Sequence, residues 1–201
     1  MKEKFEILES LPCYGNMYIS IPENGYTKFS EGLPVKFYKE DGTDWVANFE
    51  LGFSNLKFAS KFKNSNNIII IASGICYVIN PESTKPIITF GYDFNKVFQY
   101  KNSFILIGES SITIIESMDN IKHFENLCYD GISEVKLENE ILTGILHDFN
   151  SSGDYDNNLF FLNLEKLEIT QRKISEPKIE LKNKSLNINN NIKDKKWWKF
   201  W

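Results

Sequence analysis

The chain has 201 residues, a formal net charge of −4, and 42% hydrophobic and 14% aromatic residues. That length holds one domain of ordinary size with a tail, and its apolar fraction is ample for a core. No apolar run approaches the ~20 residues that a membrane-spanning helix requires, and an acidic body whose only arginine is Arg172 lacks the guanidinium forks that grip phosphate and guanine, so nucleic acid is not an expected partner.

The first residues, MKEKFEILES, lack the apolar core and small-residue cleavage site of a secretory signal. They suit a short helix or a strand equally. PVKFYKEDGTDWVANFEL, from Pro34, holds two alternating runs around a Gly-containing loop, a hairpin signal. Trp45 in its second arm is expected in the core. Asp41 and Asp44 flank the turn, where Asp side chains usually serve the backbone. NNIIIIASGICYVINPESTKPIITF reads as strand, turn at Gly74, strand, Pro-containing turn and strand. Its run Ile68 to Ala72 suits a central strand buried on both faces. No long helical stripe of period 3.6 occurs anywhere.

The stretches from Phe58, Lys96 and Ser133 repeat one pattern: a short strand, an Asn-containing turn, an apolar strand, a tight turn, a second apolar strand and an outer strand. Ile68, Phe104 and Ile141 correspond at a spacing of 36 to 37, and Cys76 corresponds to Ile112. The third unit carries a loop insertion around 149–157, and residues 14–52 read as a degenerate first unit. The predicted fold is all-β, with repeated four-stranded antiparallel meanders whose neighbours cover each other's apolar faces. Four units suit a β-propeller-like ring or a partly open stack of blades. The alternative is an irregular β-sandwich. Cys13, Cys76 and Cys128, an odd number without a CxxC, fit buried thiols in a reducing cytoplasm.

After Arg172 the composition shifts. Residues 1–173 are read as one β domain and 174–201 as a Lys/Asn-rich tail; from Lys182 to Lys196 too little apolar surface is available to offset ordering entropy, which reads as a linker. The tail holds seven lysines against Glu176, Glu180 and Asp194, a balance of +4 that leaves −8 on the body. It closes on KKWWKFW, with Lys195, Lys196, Trp197, Trp198, Lys199, Phe200 and Trp201. Clustered aromatics beside lysines suit a contact with a protein groove, either a partner's or the chain's own. They also suit weak attachment to an anionic membrane surface.

Catalytic signals are sparse. His123 and His147 have no GxSxG, HExxH or phosphate-loop context. His123 is expected on an outer strand. The sharper candidate is DFNSSGDYD, which places Asp148, Asn150, Ser152 and Asp156 around Gly153. Alternate oxygens around a loop that bends at Gly resemble the DxDxDGxxD calcium loops of some propellers. Asn and Ser replace two carboxylates, so any affinity would be weak and millimolar. The competing reading is a polar hairpin loop.

VKFYKEDGTDWVANFELG, GICYVINPESTKPI and YDGISEVKLENEILTG resemble stretches of a group of small bacterial β-rich proteins that often finish on a WWKFW-like motif. The resemblance implies a bacterial, cytoplasmic setting and transfers no catalytic residue. Proteins of this size and type sometimes sit beside toxin genes as immunity partners. The expected function is therefore a non-catalytic protein-binding β module, of immunity or scaffold type, with the aromatic tail as one contact and no cofactor beyond weak calcium. The alternatives are a peripheral membrane protein held by that tail and an enzyme with a propeller-like pocket.

Overall fold

Isoleucine-rich runs bracketed by turn residues set the central strands, and the computed structural model describes residues 4–13, 18–28, 30–149 and 155–174, without the side chains of Tyr26 and Tyr155. These residues form four four-stranded sheets. The second sheet contains β5 (Lys57–Lys61), β6 (Ile68–Ala72), β7 (Ile75–Ile79) and β8 (Ile88–Phe90). The third contains β9 (Lys96–Tyr100), β10 (Ser103–Ile107), β11 (Ile112–Ser117) and β12 (Asn120–Phe124). The fourth contains β13 (Ile132–Glu138), β14 (Ile141–Phe149), β15 (Tyr155–Asn163) and β16 (Glu168–Lys173). Each of these three is an antiparallel meander in chain order.

The expected period is visible in the register. Ile71 pairs with Cys76 and Ile107 with Ile112, the same rung displaced by 36 residues. In the fourth sheet β14 and β15 each run nine residues, so Phe149 and residues 155–157 of the expected insertion lengthen a hairpin, and 150–154 lie outside the described residues.

The first sheet departs from the pattern. Its strands β1 (Phe5–Ile7), β2 (Ile19–Ile21), β3 (Leu33–Tyr38) and β4 (Asp44–Phe49) lie in the order β1-β3-β4-β2, with β2 parallel to β4. Within the ambiguous opening stretch, Phe5–Ile7 is thus an edge strand. A 3-10 turn at Tyr26–Lys28 lies in the β2–β3 connection, and no helix among the described residues is long and apolar enough to cross a membrane.

The sheets stack in chain order because alternate side chains of a strand point to opposite faces. Ile68, Ile70 and Ala72 of β6 pack with Phe37, Trp45 and Phe49 of the first sheet, whereas Ile69 and Ile71 pack with Phe104 and Leu106 of the third. Ile105 and Ile107 point the other way, onto Leu142, Leu146, Phe160 and Leu162 of the fourth. A residue of this kind contributes about 1.5–3 kcal/mol when fully buried. No core combines the first and fourth sheets, so the described blades form an open stack.

Trp45 is buried as expected; its ring stacks on Phe37 and its Nε1–H donates to Pro81 O at 2.8 Å. Asp41 accepts hydrogen bonds from the Thr43 N–H and hydroxyl, which holds its carboxyl below the usual range. Cys76 and Cys128 are buried, and burial pushes both thiols up, but Cys13 is exposed.

Candidate functional site

All three sheet-to-sheet crossovers lie at one end of the stack. They comprise residues 50–56, 91–95 and 125–131, and they meet the hairpin turns at 73–74 and 108–111. Their backbones are joined in sequence. Gly52 N–H donates to Ala72 O, Phe53 N–H to Tyr92 O and Ser54 N–H to Ser73 O. Phe94 N–H reaches Gly74 O, and Glu109 N–H reaches Asp93 Oδ2 at 3.0 Å. Leu127 N–H donates to Ser110 O and Tyr129 N–H to Asp148 Oδ1 at 2.8 Å. Phe149 N–H closes the series on Asp130 Oδ2 at 2.6 Å. Glycine permits these approaches: a Cβ on Gly52 would lie 2.3 Å from Tyr92 O, and Gly74, at φ +106°, faces the same oxygen at 2.5 Å.

This fixed backbone presents aromatic side chains to water. Phe53 is 88% exposed, Tyr92 64%, Tyr129 94% and Phe149 57%, with Leu51 beside them. The Phe53 and Tyr92 rings lie 6.4 Å apart. Phe53, Tyr92 and Tyr129 occupy successive crossovers at spacings of 39 and 37, so one exposed ring recurs per blade. The same crossovers and turns carry Glu50, Asp93, Glu109, Glu125 and Asp130 with no Lys or Arg. At the opposite end the connecting turns mix six acids with Lys39, Lys63, Lys85, Lys101 and Lys166. Exposed Lys57 and Lys96 begin the strands that follow the first two crossovers, and exposed Lys173 ends β16 at the same end.

These rings were not singled out by sequence reasoning, which followed the period of the apolar strands. The signal was present: an aromatic recurs in the linkers GFSNL, GYDFN and CYDGI with the same period as the core.

Of the proposed calcium ligands, Asp148 and Asp156 face each other across the β14–β15 ladder; Asn150 and Ser152 lie outside the described residues. Both carboxylates already have protein partners. Asp148 accepts the Tyr129 N–H, and Asp156 Oδ1 lies 2.6 Å from Lys173 Nζ. A cation bound here would compete with the Lys173 ammonium. No group of three or more His, Cys, Asp or Glu among the described residues could hold a metal ion.

His147 lies on the opposite face of β14 from Asp148. Its Nε2 is 2.6 Å from Ser133 Oγ and its Nδ1 is 2.8 Å from Asn157 Oδ1. With Nδ1 protonated, the ring donates to Asn157 and accepts the Ser133 hydroxyl, the tautomer that a serine nucleophile would need. An irregular register between Ser133 and Lys136, with Glu134 at φ +51°, marks a bulge on β13 beside this contact. Acyl transfer also needs a substrate cavity and oxyanion donors. Two cavities, one around Ile19–Pro22 and Thr84–Pro86 and one around Ser103, Glu116 and Glu165, are not lined by Ser133 or His147. The line ties β13, β14 and β15 together. His147→Ala is expected to lower stability by about 1–2 kcal/mol by removing two side-chain hydrogen bonds, read from urea midpoints with the β-sheet circular dichroism retained. His123 is exposed on β12, as expected, with Nδ1 2.9 Å from Thr113 Oγ1.

The proposed tail contacts, Lys195, Lys196, Trp197, Trp198, Lys199, Phe200 and Trp201, lie outside the described residues. Compared with known proteins, the chain matches no family model, no curated protein and no solved structure.

Proposed function

We propose that the protein is a non-catalytic binding module that receives the basic face of another protein on its crossover end. The observation that carries this reading is the row of exposed rings, Phe53, Tyr92 and Tyr129, on crossovers joined by backbone hydrogen bonds, with five carboxylates in the same crossovers and turns. Rings held by a fixed backbone lose little entropy on docking, and aromatic anchors dominate most interfaces. The crossover carboxylates would attract the lysines and arginines of a basic partner. An immunity-type role fits this chemistry, because a toxin that handles nucleic acid carries a basic face. The tail lysines and tryptophans from Lys195 to Trp201 supply a second contact on the partner.

The test places a photo-crosslinking amino acid at Tyr92 or Tyr129, with Ile87, half-exposed at the opposite end, as the control. Crosslinks from both crossover positions to one basic protein, absent from Ile87, are expected. Glu109→Lys with Glu125→Lys should weaken that complex at least tenfold and reduce the salt dependence of its association rate. Equal crosslinking from Ile87, or a partner indifferent to the charge reversals, would end this reading.

A further inference from the structure

We infer that a second site, at the end of the stack away from the crossovers, binds a small zwitterion with an apolar side chain, of the α-amino acid class. The site is a cleft of about 240 Å³ where the ends of β10, β11 and β12 meet the β15–β16 turn. At about 30 Å³ for a water-sized group it has room for about eight of them, near the size of a leucine. Its floor is apolar. Ile114 and Leu164 are buried in the core shared by the third and fourth sheets, and Leu167 packs against that core. The turn that carries Glu165 is fixed by Asn163, whose Oδ1 accepts the N–H groups of Glu165 at 3.0 Å and Lys166 at 2.8 Å. On β11 the register shifts between Ile115 and Ser117, so Glu116 is the extra residue of a bulge, a device that re-aims a side chain.

The polar groups of the lining are only partly engaged. Glu116 uses Oε2 for the Asn120 amide at 2.6 Å. Glu165 uses Oε1 for both the Lys101 ammonium at 2.6 Å and the Tyr100 hydroxyl at 3.2 Å. Among the described residues, Glu116 Oε1, Glu165 Oε2 and the Ser103 hydroxyl have no protein hydrogen bond. The Lys101 ammonium holds the Glu165 carboxyl below the usual carboxylate range, so it stays ionised at neutral pH. Lys122, which pairs with Ile114 across the ladder, has no ion-pair partner among the described residues and lies over the Phe124 ring at 5.8 Å. A primary ammonium brings three donors and no acceptor, which suits Glu116, Glu165 and Ser103. A carboxylate on the same ligand suits Lys122. A bare amine would leave Lys122 without a partner, and a bare acid would meet two carboxylates; a zwitterion answers both signs. Its side chain would rest on Ile114, Leu164 and Leu167 and lose apolar contact with water. A few polar groups around an apolar floor are the common make-up of a small-ligand site. The charged groups of the rim are exposed, so solvent screens them and binding is weak.

The experiment titrates the full ¹⁵N-labelled chain with L-leucine, L-leucinamide and 4-methylpentanoate and follows the backbone amide signals. L-leucine is expected to move the Ser103, Glu116, Lys122 and Leu167 signals saturably at millimolar concentration, with Phe53 and Tyr129 at the crossover end unmoved. L-leucinamide lacks the carboxylate and stands for the N-terminus of a peptide, and 4-methylpentanoate lacks the ammonium. Each should bind at least about tenfold more weakly than L-leucine. Glu116→Gln and Lys122→Met, both at exposed positions, should each weaken L-leucine binding about fivefold or more while the rest of the amide spectrum stays that of the folded chain. No saturable shift with L-leucine up to about 50 mM would overturn the inference, as would shifts that neither variant weakens. L-leucinamide or 4-methylpentanoate binding as tightly as L-leucine would overturn it as well, because the ligand would then need only one of its two charges.

Discussion

Replacing Phe104 by alanine is expected to cost about 3–5 kcal/mol and to lower the unfolding midpoint of the whole described body in one step. Phe104 is fully buried on the face of β10 that meets the second sheet. Its ring packs edge-on against Phe62 at 5.1 Å and against Phe58 at 5.9 Å. Removing it opens a cavity at the middle of three interfaces. The consequence reaches further than local packing, because each internal sheet needs a neighbour on both faces. β6 shows why: all five of its residues are buried, and they alternate between the first and third sheets. A stack coupled this way should unfold as one unit at this size. Urea titration followed by circular dichroism and, separately, by the Trp45 indole signal provides the check. Trp45 sits in the first sheet, one interface away from Phe104, so coincident curves shifted together are expected. A Trp45 transition that stays at its original midpoint while the rest moves would mean that the first sheet folds independently.

How much of this was readable from residues alone depends on whether the information is local. The Ile68–Ala72 run announces a strand with two covered faces, and two covered faces already require three stacked sheets. The 36-residue displacement between the Ile71–Cys76 and Ile107–Ile112 rungs is likewise a one-dimensional signal. The parallel pairing of β2 with β4 is not local. Ile19–Ile21 has the same composition whether it joins an edge in parallel or antiparallel sense, and the connection after it decides. The crossover end was hidden for another reason. Patterning identifies rings that periodicity directs inward, whereas Phe53, Tyr92 and Tyr129 lie in linkers, where no periodicity predicts exposure. The Ser133–His147–Asn157 line depends on cross-strand register, which the spacing of the three residues does not encode.

The second large effect is expected at Asn48, the residue that fixes the irregular connection of the first sheet. Asn48 is fully buried between β2 and β3, opposite Ser20 and Pro34. Its Oδ1 accepts the Gly32 N–H at 2.8 Å, and its Nδ2 donates to Thr27 O at 3.0 Å and Ser30 O at 2.9 Å. One amide thus satisfies three backbone groups of the β2–β3 connection. Asn48→Leu keeps the branched four-atom side chain and removes all three bonds. Buried groups deprived of a partner cost about 1–3 kcal/mol each. Thr27 O retains the Ser20 hydroxyl at 2.9 Å, which moderates the sum to about 3 kcal/mol. Asn48→Asp separates the donor from the acceptor. An ionised carboxylate would still accept from Gly32 but would turn its second oxygen toward two carbonyl oxygens. Burial and that repulsion raise its folded-state pKa above the unfolded value of about 3.9. The folded state then holds the proton more tightly than the unfolded state, so the variant loses stability as pH rises above about 4. The gap between Asn48→Asp and the unsubstituted protein should widen between pH 4 and pH 7, while the Asn48→Leu gap stays constant. Urea midpoints at the two pH values measure both. An Asp variant whose deficit does not change with pH would place the Asn48 amide in contact with water, and the connection would then be held by the backbone pairing of β2 instead.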